Sequence, residues 1–175
     1  MKPTALLLCG LPYAGKSAIA DALVEDGYAV ISLNSINHER GLGLDGESVP
    51  GSEWMRTHRT ALERLNAYLR AGHSVVWDDS NYAAFIRDPI FEAAIEAGGD
   101  PVVVFVDTPL EVVRTRAAYV AERGHRPICP PEDFERVVRD FERPCCGVRI
   151  DGTLKPDVAL AKLRAALNRQ PVTLT

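Results

Sequence analysis

The sequence predicts an α/β fold, a five-stranded, mostly parallel sheet flanked by helices. Three observations predict it. Short apolar, often β-branched runs alternate with stretches of helical period; each run ends in glycine, carboxylate or polar residues; and no repeat, low-complexity tract or long linker interrupts the alternation, so residues 1–175 read as one domain. Strands joined by helices run parallel, and ligands then sit beyond their carboxyl ends.

Each element follows from its residues. Thr4–Cys9 is apolar throughout and stops at Gly10, as a buried strand does. Lys16–Glu25 sets Ile19, Ala20, Leu23 and Val24 at helical spacing and ends before Gly27. Ala29–Leu33 is a second strand. Asn34–Gly51, rich in Gly, Asn and Asp, reads as an irregular loop. Ser52–Arg70 spaces Met55, Ala61, Leu62, Leu65 and Leu69 as a helix and stops at Gly72. Ser74–Trp77 is the third strand, and Tyr82–Ala97 a helix whose first turns Pro89 disturbs. Pro101–Val106 is a β-branched fourth strand. Thr108-Pro109 opens a helix over Leu110–Glu122, and Glu132–Glu142 forms another. Val148–Asp151 is the fifth strand and Asp157–Asn168 the closing helix.

Composition narrows the function. Apolar residues make up 46% and charged residues 25%, the balance of a soluble globular protein. No run reaches the roughly 18 apolar residues of a membrane span. The apolar stretch near Met1 is too short for a secretory leader, so the expected location is cytoplasmic, with no membrane partner. Cys9, Cys129, Cys145 and Cys146 contain no C-x-x-C pair and are expected as reduced thiols. A net charge of −4 lacks the basic footprint of a nucleic-acid binder. A small-molecule partner is therefore favoured, with nucleic acid as the alternative, and oligomeric state is left open.

Gly10-Leu11-Pro12-Tyr13-Ala14-Gly15-Lys16-Ser17 fits G-x-x-x-x-G-K-[ST] between a strand and a helix. Glycines let backbone N–H groups wrap a phosphate, and the helix that follows aims its positive end at the anion. The expected nucleotide-binding residues are Gly10, Leu11, Pro12, Tyr13, Ala14, Gly15, Lys16, Ser17 and Ala18. Lys16 reaches the β- and γ-phosphates of ATP, and the Ser17 hydroxyl is a ligand for Mg²⁺.

Asp78 and Asp79 follow the third strand, where such a site needs an acid to hold Mg²⁺. The plain alternative is that either caps the next helix. Asp78 is expected on the metal, and one of the pair is available as a base. Farther on, Arg114, Arg116, Arg123, Arg126, Arg136, Arg139 and Arg143 crowd one segment, with a proline-rich stretch between Arg123 and Glu132. Guanidinium groups on a closing lid, residues 117–131, would stabilise charge on a transferring phosphoryl group. The plain alternative is a solvated helix face balanced by Glu111, Glu122, Glu132 and Glu135.

Taken together, Gly10–Ser17, Val75–Asn81 with its D-x-S-N ending, Thr108–Arg116 and Phe141-Glu142-Arg143-Pro144 resemble the P-loop kinases around polynucleotide 5′-kinases and the kinase acting on seryl-tRNA. The resemblance spans about four-fifths of the chain. It implies the P-loop nucleoside triphosphate hydrolase fold of kinase type, an ATP–Mg²⁺ site, and lid arginines at Arg116, Arg123 and Arg126. It leaves the acceptor open.

The sequence departs from that family at one place. Where such kinases carry a general-base aspartate after the second strand, this chain has Asn34, and Asn37 stands where an arginine is common. An amide accepts no proton at neutral pH. Either Asp78 or Asp79 replaces the base, or Glu39 or Asp45 does, or the acceptor is already anionic and needs none. Acceptor-site candidates are Asn34, Asn37, His38, Glu39, Arg40, Trp54, His58, Arg59 and Asn81. Three functions follow: a small-molecule kinase, a nucleic-acid or tRNA-linked kinase, and an ATP-hydrolysing regulatory module without acceptor.

Overall fold

The computed structural model describes residues 2–43, 48–123 and 129–168. Asp45 and Arg126 lie outside them. Five strands, β1 (Thr4–Cys9), β2 (Ala29–Ser32), β3 (Val75–Asp78), β4 (Asp100–Asp107) and β5 (Val148–Asp151), form one sheet in the order β2-β3-β1-β4-β5. Every neighbouring pair is parallel. Around the sheet run α1 (Lys16–Val24), α2 (Leu33–Glu39), α3 (Gly51–Arg70), α4 (Ala84–Glu96), α5 (Leu110–Arg123), α6 (Pro131–Arg139) and α7 (Pro156–Leu167).

The unbroken apolar run of β1 has a physical reason, because both its faces are covered. Ala5, Leu7 and Cys9 share a core with Ala61, Leu65 and Leu69 of α3 and Ile90 and Ala94 of α4. Leu6 and Leu8 share the opposite core with Ile19, Ala20 and Leu23 of α1 and Leu160 and Leu163 of α7. This two-sided burial puts β1 at the centre of the sheet and its carboxyl end at the middle of the ligand edge.

One expected loop is different. Asn34–Gly51 begins within α2, which starts at Leu33. The Ser32 hydroxyl accepts a hydrogen bond from the Ser35 N–H at 3.3 Å, capping the helix. Leu33 and Ile36 are buried in the α3 core, so burial overrides the weak helix propensity of the asparagines. Pro89 does lie inside α4, yet the helix continues past it to Glu96. Its start is fixed from outside, where the Glu142 carboxylate accepts the Ala84 N–H at 2.8 Å.

Candidate active site

The segment joining β1 to α1 is a tight backbone cradle. Gly10 (φ 155°) has no room for a side chain, since a Cβ would lie 2.7 Å from the Val106 carbonyl oxygen. Tyr13 (φ 64°) and Gly15 (φ 109°) are left-handed, and Gly15 is the N-cap of α1 with no side-chain cap. The first N–H groups of α1 are thus left to an anion. Lys16 is buried, and its Nζ donates to the carbonyls of Gly10 (3.0 Å) and Leu11 (2.8 Å). Desolvation holds its pKa below the ordinary lysine value, while Asp78 and Asp79 pull it back up.

The cradle is braced from behind through one atom, the Ala14 carbonyl oxygen. Thr108, after β4, donates to it at 2.9 Å, and Arg116 of α5 donates at 3.0 Å. Arg116 also bonds the carbonyls of Tyr13 and Gly152. The guanidinium expected on a lid therefore ties the phosphate loop to the turn after β5. Gly152 has room for nothing larger, since a Cβ would overlap the Thr108 side chain and lie 2.9 Å from the Ala14 oxygen. Gly152→Ala is expected to displace the loop and sharply reduce the thermal stabilisation given by Mg²⁺–ATP. A thermal-shift titration against the parent chain checks it, and an unchanged shift would mean the brace is dispensable.

Asp78, the last residue of β3, is pushed above the ordinary carboxyl pKa by burial, and Lys16 and the Ser17 hydroxyl oppose that push. A hydroxyl and a carboxylate are hard oxygen donors that fit Mg²⁺. Asp79 acts electrostatically on Lys16 and on His58 of α3. The His58 ring lies 5.9 Å from that of Trp77, and burial holds its pKa below the usual histidine value, although Asp79 acts the other way.

A single cavity of about 1390 Å³ joins these groups. Lys16, Ser17, Asp78, Asp79 and Arg116 line it together with Asn34, Asn37, His38, Trp54, His58 and Arg59. Arg40 does not line it. Its guanidinium is committed to Glu53 and to the Thr57 hydroxyl (2.5 Å), which in turn donates to the Asn37 side chain (2.5 Å). The network fastens α2 to α3, so Asn37 is also largely structural. Asn81 is likewise absent from the lining. It is buried at φ 45°, and its Nδ2 donates to the Leu8 carbonyl at 2.7 Å, fastening β1 to the turn after β3. Arg123 lies outside the cavity, its guanidinium 4.8 Å from the Tyr119 ring centroid.

Residues without earlier notice complete the site. Tyr119, Gly152, Leu154 and Pro156 line the end beside the phosphate loop. The Tyr13 hydroxyl accepts the Cys129 N–H at 2.8 Å, and its ring lies 6.2 Å from Phe134 of α6, so the loop is also joined to the segment leading into α6. Of Tyr119, Gly152, Leu154 and Pro156, only Gly152 had a sequence signal, the Asp-Gly pair at the carboxyl end of β5.

A family model described as an AAA domain matches residues 6–144. No curated protein matched the chain. The Mycobacterium tuberculosis APS kinase CysC, solved with AMPPNP and APS, is similar at 20% identity and TM-score 0.71, over 95% of this chain and 98% of that one. A gluconokinase from Sinorhizobium meliloti is similar at 19% identity and TM-score 0.68, over 96% and 93%. Chaetomium thermophilum Kti12, solved with ADP-AlF3, is similar at 19% identity and TM-score 0.72, over 94% and 97%. All three share the fold.

Proposed function

The chain belongs to the AAA-domain family, and from that premise we propose that it is a kinase moving the γ-phosphoryl group of ATP onto a hydroxyl of a small molecule. The observation that carries the reading is one continuous cavity lined at once by Lys16, Ser17 and Asp78 and by residues of α2, α3 and α4, which leaves room for an acceptor beside the nucleotide. Structures of the same fold, solved with AMPPNP and APS or with ADP-AlF3, support the nucleotide half.

In this reading the N-terminus of α1 and Lys16 bind the phosphates, and Lys16 stabilises charge growing on the γ-phosphoryl oxygens. Ser17 and Asp78 would hold Mg²⁺, which supplies further neutralisation of phosphate charge when bound. The acceptor oxygen attacks the γ-phosphorus in line. Its bond to phosphorus forms as the bond to the β,γ-bridging oxygen breaks, ADP leaves, and the hydroxyl proton passes to Asp79. Asn34 shares the cavity but supplies no base.

That division makes Asn34→Asp informative. With Asp79 already the base, the added carboxylate should change kcat only a few-fold. A gain of about 10²–10⁴, the usual contribution of a general base, would mean that the native site has none and would favour the slow ATP-hydrolysing module. Incubation with labelled ATP and a set of acceptors tests the kinase reading directly. Label released only as inorganic phosphate would overturn it.

A further inference from the structure

Resting on the kinase reading, we propose that the acceptor is an uncharged alcohol borne on an apolar, ring-sized body, received by the chamber of the cavity that α3 and α4 line. Two independent observations carry this: the wall of the chamber and the charges around it.

The wall presents large apolar side chains to solvent. Met55 of α3 and Phe85 of α4 are each 69% exposed, and both line the cavity. Exposed apolar groups inside a concave site are a binding surface in want of an apolar partner. Phe85 does not hang free, since its ring stands edge-on to Tyr82 at 6.3 Å and 90°. Trp54 and Leu62 also line the cavity, half-buried against the same core that holds α3 to the sheet. An aromatic or alicyclic body in the cavity would bury its faces against the apolar side chains of Phe85, Met55 and Trp54.

The charges are nearly all taken. Arg40 and Arg56 pair with Glu53, and Arg64 pairs with Glu39. Among the described residues, Arg59 is the α3 arginine that lines the cavity without an ion pair, and Asp79 lines the same cavity. A sugar acid or a polynucleotide end needs several cations. On the α2 and α3 side Arg59 is one guanidinium among the neutral hydroxyl and amide donors of Ser35, Asn34 and Asn37, a set that suits the lone hydroxyl of an uncharged body whose rest meets the apolar wall.

The test uses the full chain with Mg²⁺ and labelled ATP. The acceptors are 2-phenylethanol, 3-phenylpropanol and cyclohexylmethanol, set against galacturonate, adenosine and a 5′-hydroxyl oligonucleotide. Trp54 emission reports binding, and Trp54→Phe identifies its signal. Thermal stabilisation by Mg²⁺–ATP, lost in Lys16→Met, reports the nucleotide half separately. The expected result is a saturable Trp54 response and phosphate-ester formation with the ring alcohols. Phe85→Ala and Met55→Ala, both at exposed positions, should then weaken their binding about tenfold. Transfer to galacturonate, adenosine or the oligonucleotide in preference would overturn the acceptor class and leave the kinase reading standing. No Trp54 response to any ring alcohol, with ATP still stabilising the chain, would also overturn it. So would a larger loss from Arg59→Gln than from Phe85→Ala. Absence of ATP stabilisation in the parent chain would instead sink the kinase reading, and this proposal with it.

Discussion

Lys16→Met is expected to lower phosphoryl transfer by about 10³-fold while the protein remains folded, the size of effect seen when one preorganised donor to a developing oxyanion is removed. The side chain sits where α1 begins, and its ammonium bonds two loop carbonyls and, among the described residues, no carboxylate directly. Methionine keeps the apolar stem and removes the charge. The sign of the stability effect follows from burial. Desolvation depresses the folded-state pKa, so folding disfavours the ammonium, a cost present at neutral pH that fades only as pH rises towards the unfolded lysine value. Removing the charge should therefore leave the melting temperature no lower than the parent's. The two lost carbonyl hydrogen bonds work against this gain. Mg²⁺–ATP, which stabilises whatever binds it by mass action, should raise the melting temperature of the variant far less than that of the parent. Steady-state kinetics and paired thermal melts check both halves. Parental turnover in a folded variant would remove the basis of the kinase reading.

The parts of this site that were legible in the sequence are those whose geometry is local. The cradle from Gly10 to Ser17 is set by successive dihedrals and by a helix that starts immediately after it, so spacing alone locates it. Strand runs were legible because full burial writes an apolar sequence, and the five strands form where the runs lie. What was not legible depends on partners distant in the chain. α2 exists because Leu33 and Ile36 find the core of α3, a contact no window of residues reveals. Arg40 and Asn81 look like ligand groups in isolation, and only the fold brings Glu53 and Thr57 to the first and the Leu8 carbonyl to the second. Arg116 belongs to the same class. Its position in an arginine-rich segment suggested a mobile lid, but its acceptors are carbonyls of the phosphate loop and of Gly152, more than thirty residues away in either direction. The arginine is legible as chemistry and illegible as geometry.

Asp78→Asn should lower transfer by about 10²–10³-fold and move the Mg²⁺ titration to much higher concentration, whereas Asp79→Asn should leave that titration nearly in place. The asymmetry rests on position. Asp78 ends β3 with Lys16 and Ser17 acting on its carboxyl, while Asp79 acts on His58 at the acceptor side. A pH series adds a second readout. Burial raises the Asp78 pKa, so protons compete with the metal at pH values above the ordinary carboxylate range. In the parent, Mg²⁺ affinity should weaken as pH falls through that raised value, and in Asp78→Asn the dependence should flatten. The same shift fixes the stability sign. A carboxyl favoured in its protonated form by folding costs stability once pH exceeds its unfolded value, so asparagine relieves a cost at neutral pH. Loss of Lys16's counter-charge works the other way, which makes the metal titration and not the melt the deciding measurement. If Asp79→Asn, rather than Asp78→Asn, shifts the Mg²⁺ midpoint, the two carboxylates exchange roles: Asp79 is then the metal's partner and Asp78 the base.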